Sequence, residues 1–267
     1  MKKFWFILTA LVATCFLVAC SGSQGVSPKT IKEKKKIVVA TESEFAPFEF
    51  KSLVNGKDTL VGADIELAKA IGEKLGVKVE FSVMSFDNVL ASVQSGKADI
   101  AIAGISVTDE RKKVYDFSDS YYTSENVVIV KKDKVNDYTS TDSLAKQTVG
   151  TQKGSVQETV AKKQISKASV VSLASNGEMI NELKSGQLQA VVLEKAIAEG
   201  YIAQNDDLTL TLANFNLKSD GSDAYAVATR KGSDDLLKEI NAVIKETKDS
   251  GKFDQWLKEA STYKQSK

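Results

Sequence analysis

The stretch SGKADIAIA at residues 95–103 has a counterpart, SGQLQAVVL, at residues 185–193. Before each copy the apolar spacing is helical, over residues 87–95 and 178–185, and a Ser-Gly pair ends the helix. Three residues later an apolar run begins that is typical of a buried strand. A helix that leads into a buried strand favours a parallel sheet with helices on its faces. The two copies therefore predict an α/β fold with two similar units.

The alternation of strands and helices extends outward from both copies. In the first unit, residues 37–40 and 77–83 predict strands on either side of a helix that ends at Gly76. In the second unit, residues 148–151 and 170–173 predict two further strands. Ligands of such sheets bind beyond the carboxyl ends of the strands. Two units whose strand ends face each other therefore predict a cleft for a small ligand.

The composition argues against several classes of function. The chain has 267 residues and a formal net charge of +1, a balance that indicates no nucleic-acid partner. It contains no histidine, which is the usual general base and the commonest neutral metal ligand. Its two cysteines, Cys15 and Cys20, lie near the N-terminus, so the rest of the chain has no thiol nucleophile and no internal disulfide. We therefore predict no metal, no cofactor and no enzymatic activity.

Residues 1–19 have the pattern of a signal peptide. Lys2-Lys3 form a positive start, and an apolar run over residues 4–19 is shorter than a membrane-spanning helix. The run ends in a lipobox, Leu17-Val-Ala-Cys20, which predicts that Cys20 is diacylated and becomes the mature N-terminus. Two acyl chains would anchor the protein stably on the extracellular face of the cell membrane. A plain secretory signal that contains a cysteine is the alternative.

Residues 20–36 are interpreted as the lipidated cysteine and a flexible tether. The segment after Cys20 begins Ser-Gly-Ser-Gln-Gly, a composition typical of flexible linkers. It continues into KEKKK at residues 32–36, which we interpret as a solvated run of charges. The folded part is therefore predicted to begin at residue 37.

Four segments of the chain resemble one known family. They are ATESEFAPFEF at residues 40–50, GADIEL at 62–67, AIAGISVTDER at 101–111 and DFSDSYY at 116–122. In this order and spacing they resemble the family-3 solute-binding proteins, the polar amino-acid receptors of ABC importers, which have the type II periplasmic-binding fold. The resemblance covers residues 36–263.

The resemblance implies a two-lobed architecture. Each lobe would be a mainly parallel sheet flanked by helices, with the ligand in the cleft between the lobes. Lobe 1 would consist of residues 37–124 and 223–262, and lobe 2 of residues 127–218 inserted between them. The two crossings, near residues 123–126 and 219–222, would act as the hinge, and Ser-Asp-Gly-Ser at the second has the composition of a flexible turn.

The resemblance also implies how the two charged ends of a free amino acid are held. Arg111 would bind the α-carboxylate, because guanidinium presents a planar fork of donors that matches a carboxylate. Ser106 and neighbouring backbone N–H groups would add donors to the same carboxylate. Glu194 would accept the α-ammonium, in a position where the family more often has Asp. Ala103 and Gly104, at a strand end, would both contact the ligand, and Gly104 would present its carbonyl to that ammonium.

The remaining predicted ligand contacts concern the side chain of the amino acid. Phe45 and Phe86 match positions whose rings sandwich the ligand side chain. Glu42 matches an acidic position at its far end, where a buried carboxylate requires a cationic or hydrogen-bonding partner. Gln152 and Val156 would contribute from lobe 2, although the family often has a hydroxyl or a glycine at the position of Val156.

We therefore expect a monomeric receptor that captures arginine, or another basic amino acid, by hinge closure and delivers it to the permease subunits of an ABC importer. A charged Glu42 with two aromatic rings favours a cationic tip. A glutamine-specific receptor is the alternative, since residues 45–50 and 104–111 look especially like glutamine receptors. Two alternatives belong to other classes: a dehydratase of the same fold, and a sensor or adhesion lipoprotein.

Overall fold

The computed structural model describes residues 25–219 and 221–266. The predicted signal peptide and Cys20 lie outside these residues. The helices are α1 (Pro28–Lys34), α2 (Ala63–Leu75), α3 (Phe86–Gln94), α4 (Asp109–Val114), α5 (Val156–Gln164), α6 (Asn176–Ser185), α7 (Lys195–Ile202), α8 (Asp234–Asp249) and α9 (Lys252–Ala260). Two short 3-10 helices span Lys132–Lys134 and Thr141–Leu144.

The strands form four sheets in the described part of the chain. Their bounds are β1 (Lys36–Thr41), β2 (Glu44–Phe45), β3 (Glu49–Val54), β4 (Lys57–Val61), β5 (Lys78–Val83), β6 (Ile100–Ala101), β7 (Ser106–Thr108), β8 (Tyr115–Phe117), β9 (Tyr122–Thr123), β10 (Asn126–Lys131), β11 (Thr148–Gln152), β12 (Ser169–Leu173), β13 (Ala190–Glu194), β14 (Leu208–Leu210), β15 (Gly221–Tyr225) and β16 (Ala228–Arg230).

The central sheet of lobe 1 has the strand order β5-β1-β6-β16-β8. Strand β1 pairs in parallel with both β5 and β6, whereas β16 runs antiparallel between β6 and β8. Ile37, Val39 and Ala40 of β1 are fully buried and Val38 is partly buried, because helices cover the faces of the sheet. A separate antiparallel sheet, β2-β3-β4, adjoins this lobe and carries the segment that follows β1.

The sheet of lobe 2 has the order β12-β11-β13-β10-β14. Strands β11, β12 and β13 are parallel, and β10 and β14 add to the sheet in the antiparallel direction. Val191 and Val192 are both fully buried, so β13 is covered on both faces. The mixed α/β arrangement confirms the predicted fold class.

The two crossings between the lobes lie side by side. Strand β15, on the returning crossing, pairs antiparallel with β9, which leads into the outgoing crossing. Beyond β9, Asn126 donates from Nδ2 to the carbonyl of Leu217 at 3.1 Å. Paired crossings of this kind let two lobes rotate while the chain remains in register at the hinge.

The prediction of a flexible tether through residue 36 is wrong for residues 28–34, which form helix α1. Ser27 caps this helix by accepting from the backbone N–H of Thr30 at 3.2 Å, and Pro28 occupies its first position. Ile31 is fully buried, and the N–H of Val26 donates to Oγ of Ser233 at 2.8 Å. The buried side chains of Val26 and Ile31, together with this hydrogen bond, thus hold the segment on lobe 1. None of the helices in the described ranges is long and apolar enough to cross a membrane.

Candidate functional site

Glu42 and Gln152 meet across the cleft from the ends of two parallel strands. Glu42 follows β1 in lobe 1, and Gln152 ends β11 in lobe 2. Nε2 of Gln152 donates to both carboxylate oxygens of Glu42, at 3.2 and 3.0 Å. Burial raises the pKa of Glu42 to about 8, against the lowering effect of the hydrogen bond from Gln152. Glu42 is therefore a buried acid at a point where the two lobes touch.

Glu194 occupies the corresponding strand end in lobe 2. It closes β13, precedes α7 and is 6% exposed. Burial raises its pKa to about 7, hydrogen bonds to its own backbone N–H and from Gln157 lower it, and the charge of Arg111 lowers it further. The charge of Glu194 in turn helps to keep Arg111 protonated. The acid and the base thus lie close enough to sense each other's charge.

Arg111 lies in α4 of lobe 1 and reaches lobe 2. The helix begins after Thr108, whose Oγ1 accepts from the N–H of Arg111 at 3.1 Å. Its guanidinium donates from Nη1 to the carbonyl of Ser106 at 2.7 Å and from Nη2 to the carbonyl of Gly154 at 3.2 Å. Its Cζ lies 5.8 Å from the centroid of the Phe86 ring. Burial lowers its pKa to about 10, a value at which the guanidinium stays charged at neutral pH.

Gly104 lies directly beneath the ring of Phe45. Its φ of +53° is in the left-handed region, and a Cβ at this position would lie 2.4 Å from Cε1 of Phe45. Only a glycine therefore allows this close approach without displacing the ring. Phe45 itself is 4% exposed and packs against Phe48 and Tyr225, so it belongs to the lobe 1 core as well as to the strand ends.

Asp64 was not predicted as part of the site, yet it supports Gly104. Its Oδ2 accepts from the N–H of Gly104 at 3.1 Å and from the hydroxyl of Tyr121 at 2.7 Å. Burial raises the pKa of Asp64 to about 6, and burial likewise raises the pKa of nearby Glu49 well above its usual range. The signal available in the sequence was an acid at the second position of an apolar helix, which a first-turn acid explains equally well.

The other predicted contacts lie around these groups. Val156 is the first residue of α5, is 8% exposed, and lines a cavity of about 380 Å³ together with Arg111 and Gly154. Ala103 is fully buried immediately before Gly104, and Ser106 is 4% exposed in β7. The structure thus brings Arg111 together with Ser106, Phe86 and Val156. Within residues 25–219 and 221–266, His, Cys, Asp and Glu form no group that could hold a metal ion.

Two α/β lobes whose strand ends bring buried acids and an arginine to a common cleft define a solute-binding protein of the two-lobed type. The chain belongs to the bacterial extracellular solute-binding proteins, family 3, which it matches over residues 37–260. The resemblance inferred from the four sequence motifs is therefore confirmed, and so is the type II periplasmic-binding fold.

Two relatives from Bacillus subtilis (strain 168) cover nearly the whole chain. The arginine-binding extracellular protein ArtP is 34% identical over 261 residues, 97% of this chain and 97% of its own. The glutamine-binding protein GlnH of an ABC transporter is 32% identical over 279 residues, 97% of this chain and 98% of its own. The family relationship is thus clear, while the names of these relatives refer to different amino acids.

A solved structure with higher identity comes from Streptococcus pneumoniae Canada MDR_19A. It is the amino acid ABC transporter substrate-binding protein AbpA bound to L-arginine, at 1.05 Å. It is 50% identical to this chain, covers 90% of it and 100% of its own chain, and superposes with a TM-score of 0.85. The similarity therefore extends through both lobes.

Proposed function

We propose that this protein is the substrate-binding subunit of an ABC importer and that it captures free arginine. The observation that carries the proposal is Glu42, a buried carboxyl whose hydrogen-bond partner comes from the other lobe. A buried carboxylate is stable only when paired, and a guanidinium can supply two donors to it. ArtP is named as an arginine-binding protein and AbpA is solved with bound L-arginine, and both support this choice.

The proposed binding sequence uses one charged group for each charge of the ligand. Arg111 holds the α-carboxylate, Glu194 accepts the α-ammonium, and Glu42 pairs with the guanidinium at the far end. The guanidinium would lower the pKa of Glu42 from about 8, so that the carboxyl ionises when the ligand binds. Closure of lobe 2 then excludes water and strengthens each of these polar contacts.

Glutamine is a second candidate, favoured by a specific observation. With a pKa of about 8, Glu42 is protonated at neutral pH and could hydrogen-bond an uncharged amide. The similarity to GlnH supports this alternative. The two candidates differ in whether Glu42 must carry a charge in the complex, and that difference can be measured.

The location and partners of the protein are part of the same proposal. We infer that Cys20 is diacylated, that residues 1–19 are removed, and that the monomeric receptor is held on the extracellular face of the membrane beside its permease. The family is extracellular, which supports the placement. Replacement of Cys20 by Ser should abolish the incorporation of labelled palmitate into the protein, and incorporation that persists in this variant would refute lipidation at Cys20. We further infer a binding role without catalysis.

The test of the ligand is thermal unfolding of the chain from residue 21 onward, refolded to remove bound ligand, against each amino acid in turn. A ligand at about a thousand times its dissociation constant adds about 4 kcal/mol to the free energy of unfolding. A large shift with arginine supports the proposal, and a large shift with glutamine alone supports the second candidate. If no amino acid shifts the transition, the receptor assignment fails and the sensor or enzyme alternatives gain support. Slow loss of an added amino acid with appearance of a product would identify a dehydratase.

A further inference from the structure

We propose that Glu44 is an interlobe latch, a residue that sets the equilibrium between open and closed forms and hence the affinity for the ligand. The inference rests on the proposed function, because it concerns how the same cleft closes. It assigns to Glu44 a role distinct from that of Glu42, which lies two residues earlier. The role would be positional, since Glu44 would act through the lobes and not through contact with the ligand.

Glu44 is held from lobe 2 through both its side chain and its backbone. It lies in β2 of lobe 1, and its Oε2 accepts a hydrogen bond from Oγ of Ser175 and another from the N–H of Gly177 at 2.9 Å. Its backbone carbonyl accepts from the hydroxyl of Tyr201 at 3.0 Å. Since Ser175 and Gly177 belong to the start of α6, and Tyr201 to α7, one residue of lobe 1 joins two helices of lobe 2.

The start of α6 is well suited to hold a carboxylate. A helix of ten residues begins at Asn176, and its first backbone N–H groups have no partner within the helix. Ser175 caps one of them by accepting from the N–H of Glu178 at 3.2 Å. The carboxylate of Glu44 satisfies the N–H of Gly177 and places negative charge at the positive end of the helix dipole. In the open form the carboxylate of Glu44 would no longer contact α6, so this interaction would stabilise only the closed form.

The hydroxyl of Tyr201 that donates to Glu44 also accepts a hydrogen bond from the C-terminal segment. Nε2 of Gln265 donates to the hydroxyl of Tyr201 at 3.2 Å, and the N–H of Ser266 donates to the carbonyl of Lys51 at 2.7 Å. The C-terminal residues therefore run between lobe 1 and the same helix of lobe 2. A second interlobe pair, Lys153 with Asp87 at 2.9 Å, has a lysine side chain that is 60% exposed, so we expect a smaller effect from it.

The test uses three variants and a control, because Glu44 also has an electrostatic effect on the site. The charge of Glu44 contributes to the raised pKa of Glu42. Glu44→Gln alone could therefore change the affinity for a cationic ligand even if Glu44 did not stabilise the closed form. Ser175→Asp keeps a good helix cap but opposes Glu44 with a second carboxylate only when the lobes close. The double variant removes that repulsion. Glu66→Gln is the control, since Glu66 lies on lobe 1 and pairs with Lys69 in its own helix.

The readouts are the association and dissociation rates of L-arginine and the lobe separation without ligand. Residues 21–267 contain no cysteine, so a dye pair can be attached through Lys57→Cys in lobe 1 and Asp206→Cys in lobe 2, both exposed positions. We expect dissociation to accelerate about fivefold in Glu44→Gln and about tenfold in Ser175→Asp, with little change in association or in the control. The double variant should resemble Glu44→Gln.

Two results would overturn the latch. If the effects of the two single variants multiply in the double variant, Glu44 and Ser175 act independently. If the variants leave both the dissociation rate and the ligand-free lobe separation unchanged, Glu44 does not stabilise the contact between the lobes. If arginine binds neither the parent chain nor any variant, the proposed ligand is refuted. The latch would still be tested by comparing the ligand-free lobe separation of Ser175→Asp with that of the double variant.

Discussion

Replacement of Glu42 by Gln separates the two candidate ligands. The amide keeps the size of the side chain and can still accept from Nε2 of Gln152, which now donates to Glu42 at 3.0 and 3.2 Å. The substitution removes the negative charge that Glu42 would carry in the complex, and its NH2 group replaces one of the two oxygens that now accept from Gln152. Removing one partner of a buried, hydrogen-bonded charge pair weakens binding by about 2–5 kcal/mol. The substitution is therefore expected to act selectively on a cationic ligand.

The magnitude follows from the pKa of Glu42. At pH 7 a carboxyl with a pKa of about 8 must give up a proton to pair with a guanidinium, which costs about 1.4 kcal/mol. Because the parent protein bears this cost and the variant does not, we expect the lower part of the range. Arginine should bind about 2–3 kcal/mol more weakly to Glu42→Gln, or roughly 30- to 150-fold. Glutamine should bind unchanged or more tightly.

The assay is isothermal titration calorimetry with arginine and with glutamine, on protein refolded to remove bound ligand. Glu80→Gln is the control, because Glu80 is an exposed acid of β5 that pairs with Lys36 at 2.8 Å. Arginine affinity that is the same in Glu42→Gln as in the parent protein would refute the pairing of Glu42 with the ligand. A loss of affinity of the same size in the control would show that the net charge of the protein, and not Glu42, causes the weaker binding.

Three further predictions concern the carboxylate anchor, the buried acids and the N-terminal helix. Arg111→Lys should reduce the affinity for every amino acid by about 100-fold in calorimetry, since an ammonium cannot form the bidentate pair, and an unchanged affinity would contradict the anchor. In the folded chain the pKa values of Glu42 and Glu194 are about 8 and about 7, against 4.5 for the ordinary group, so the folded state binds protons that the unfolded state releases. The stabilisation that these two acids contribute should be complete below about pH 4.5 and lost as the pH rises to 8. In denaturant unfolding of the ligand-free proteins, the free energy of unfolding of the parent relative to Glu42→Gln should therefore fall over this range, and a pH-independent difference would refute this. Ile31→Ala should lower the free energy of unfolding by about 2–5 kcal/mol in the same assay, and a change below 0.5 kcal/mol would show that α1 does not stabilise lobe 1.

The sequence predicted those parts of the fold that repeat or alternate. Residues 37–40 are an apolar run and residues 148–151 are β-branched except for Gly150, and the structure places β1 and β11 over them. Gly76 and Gly186 both end helices in the left-handed conformation, as expected from the helical spacing before Gly76 and from the Ser-Gly pair at residues 185–186. Helix α1 was missed because one buried Ile among lysines gives no periodic signal.

The sequence analysis proposed which residues form the site, but it did not predict how those residues contact one another. Arg111 was expected to meet a ligand, yet nothing in the spacing indicates that its guanidinium also holds the carbonyls of Ser106 and Gly154. The hydrogen bonds between Gln152 and Glu42 join positions 110 residues apart in the chain. Such contacts depend on how the two lobes pack against each other, and this packing cannot be inferred from local sequence periodicity. Their proposed roles toward the ligand remain predictions.

The position of β16 has a consequence for how the protein acquires its structure during export. Lobe 2 takes its whole sheet from β10 to β14, a continuous stretch of chain, so it can fold as soon as that stretch has emerged. Lobe 1 cannot, because β16 fills the space between β6 and β8 and is synthesised after all of lobe 2. Until residue 230 arrives, one edge of β6 is unpaired and β8 has no partner strand in this sheet, which favours association with other chains. The N-terminal half therefore depends on the last part of the chain, and the interval before its arrival is when chaperones outside the membrane would matter most.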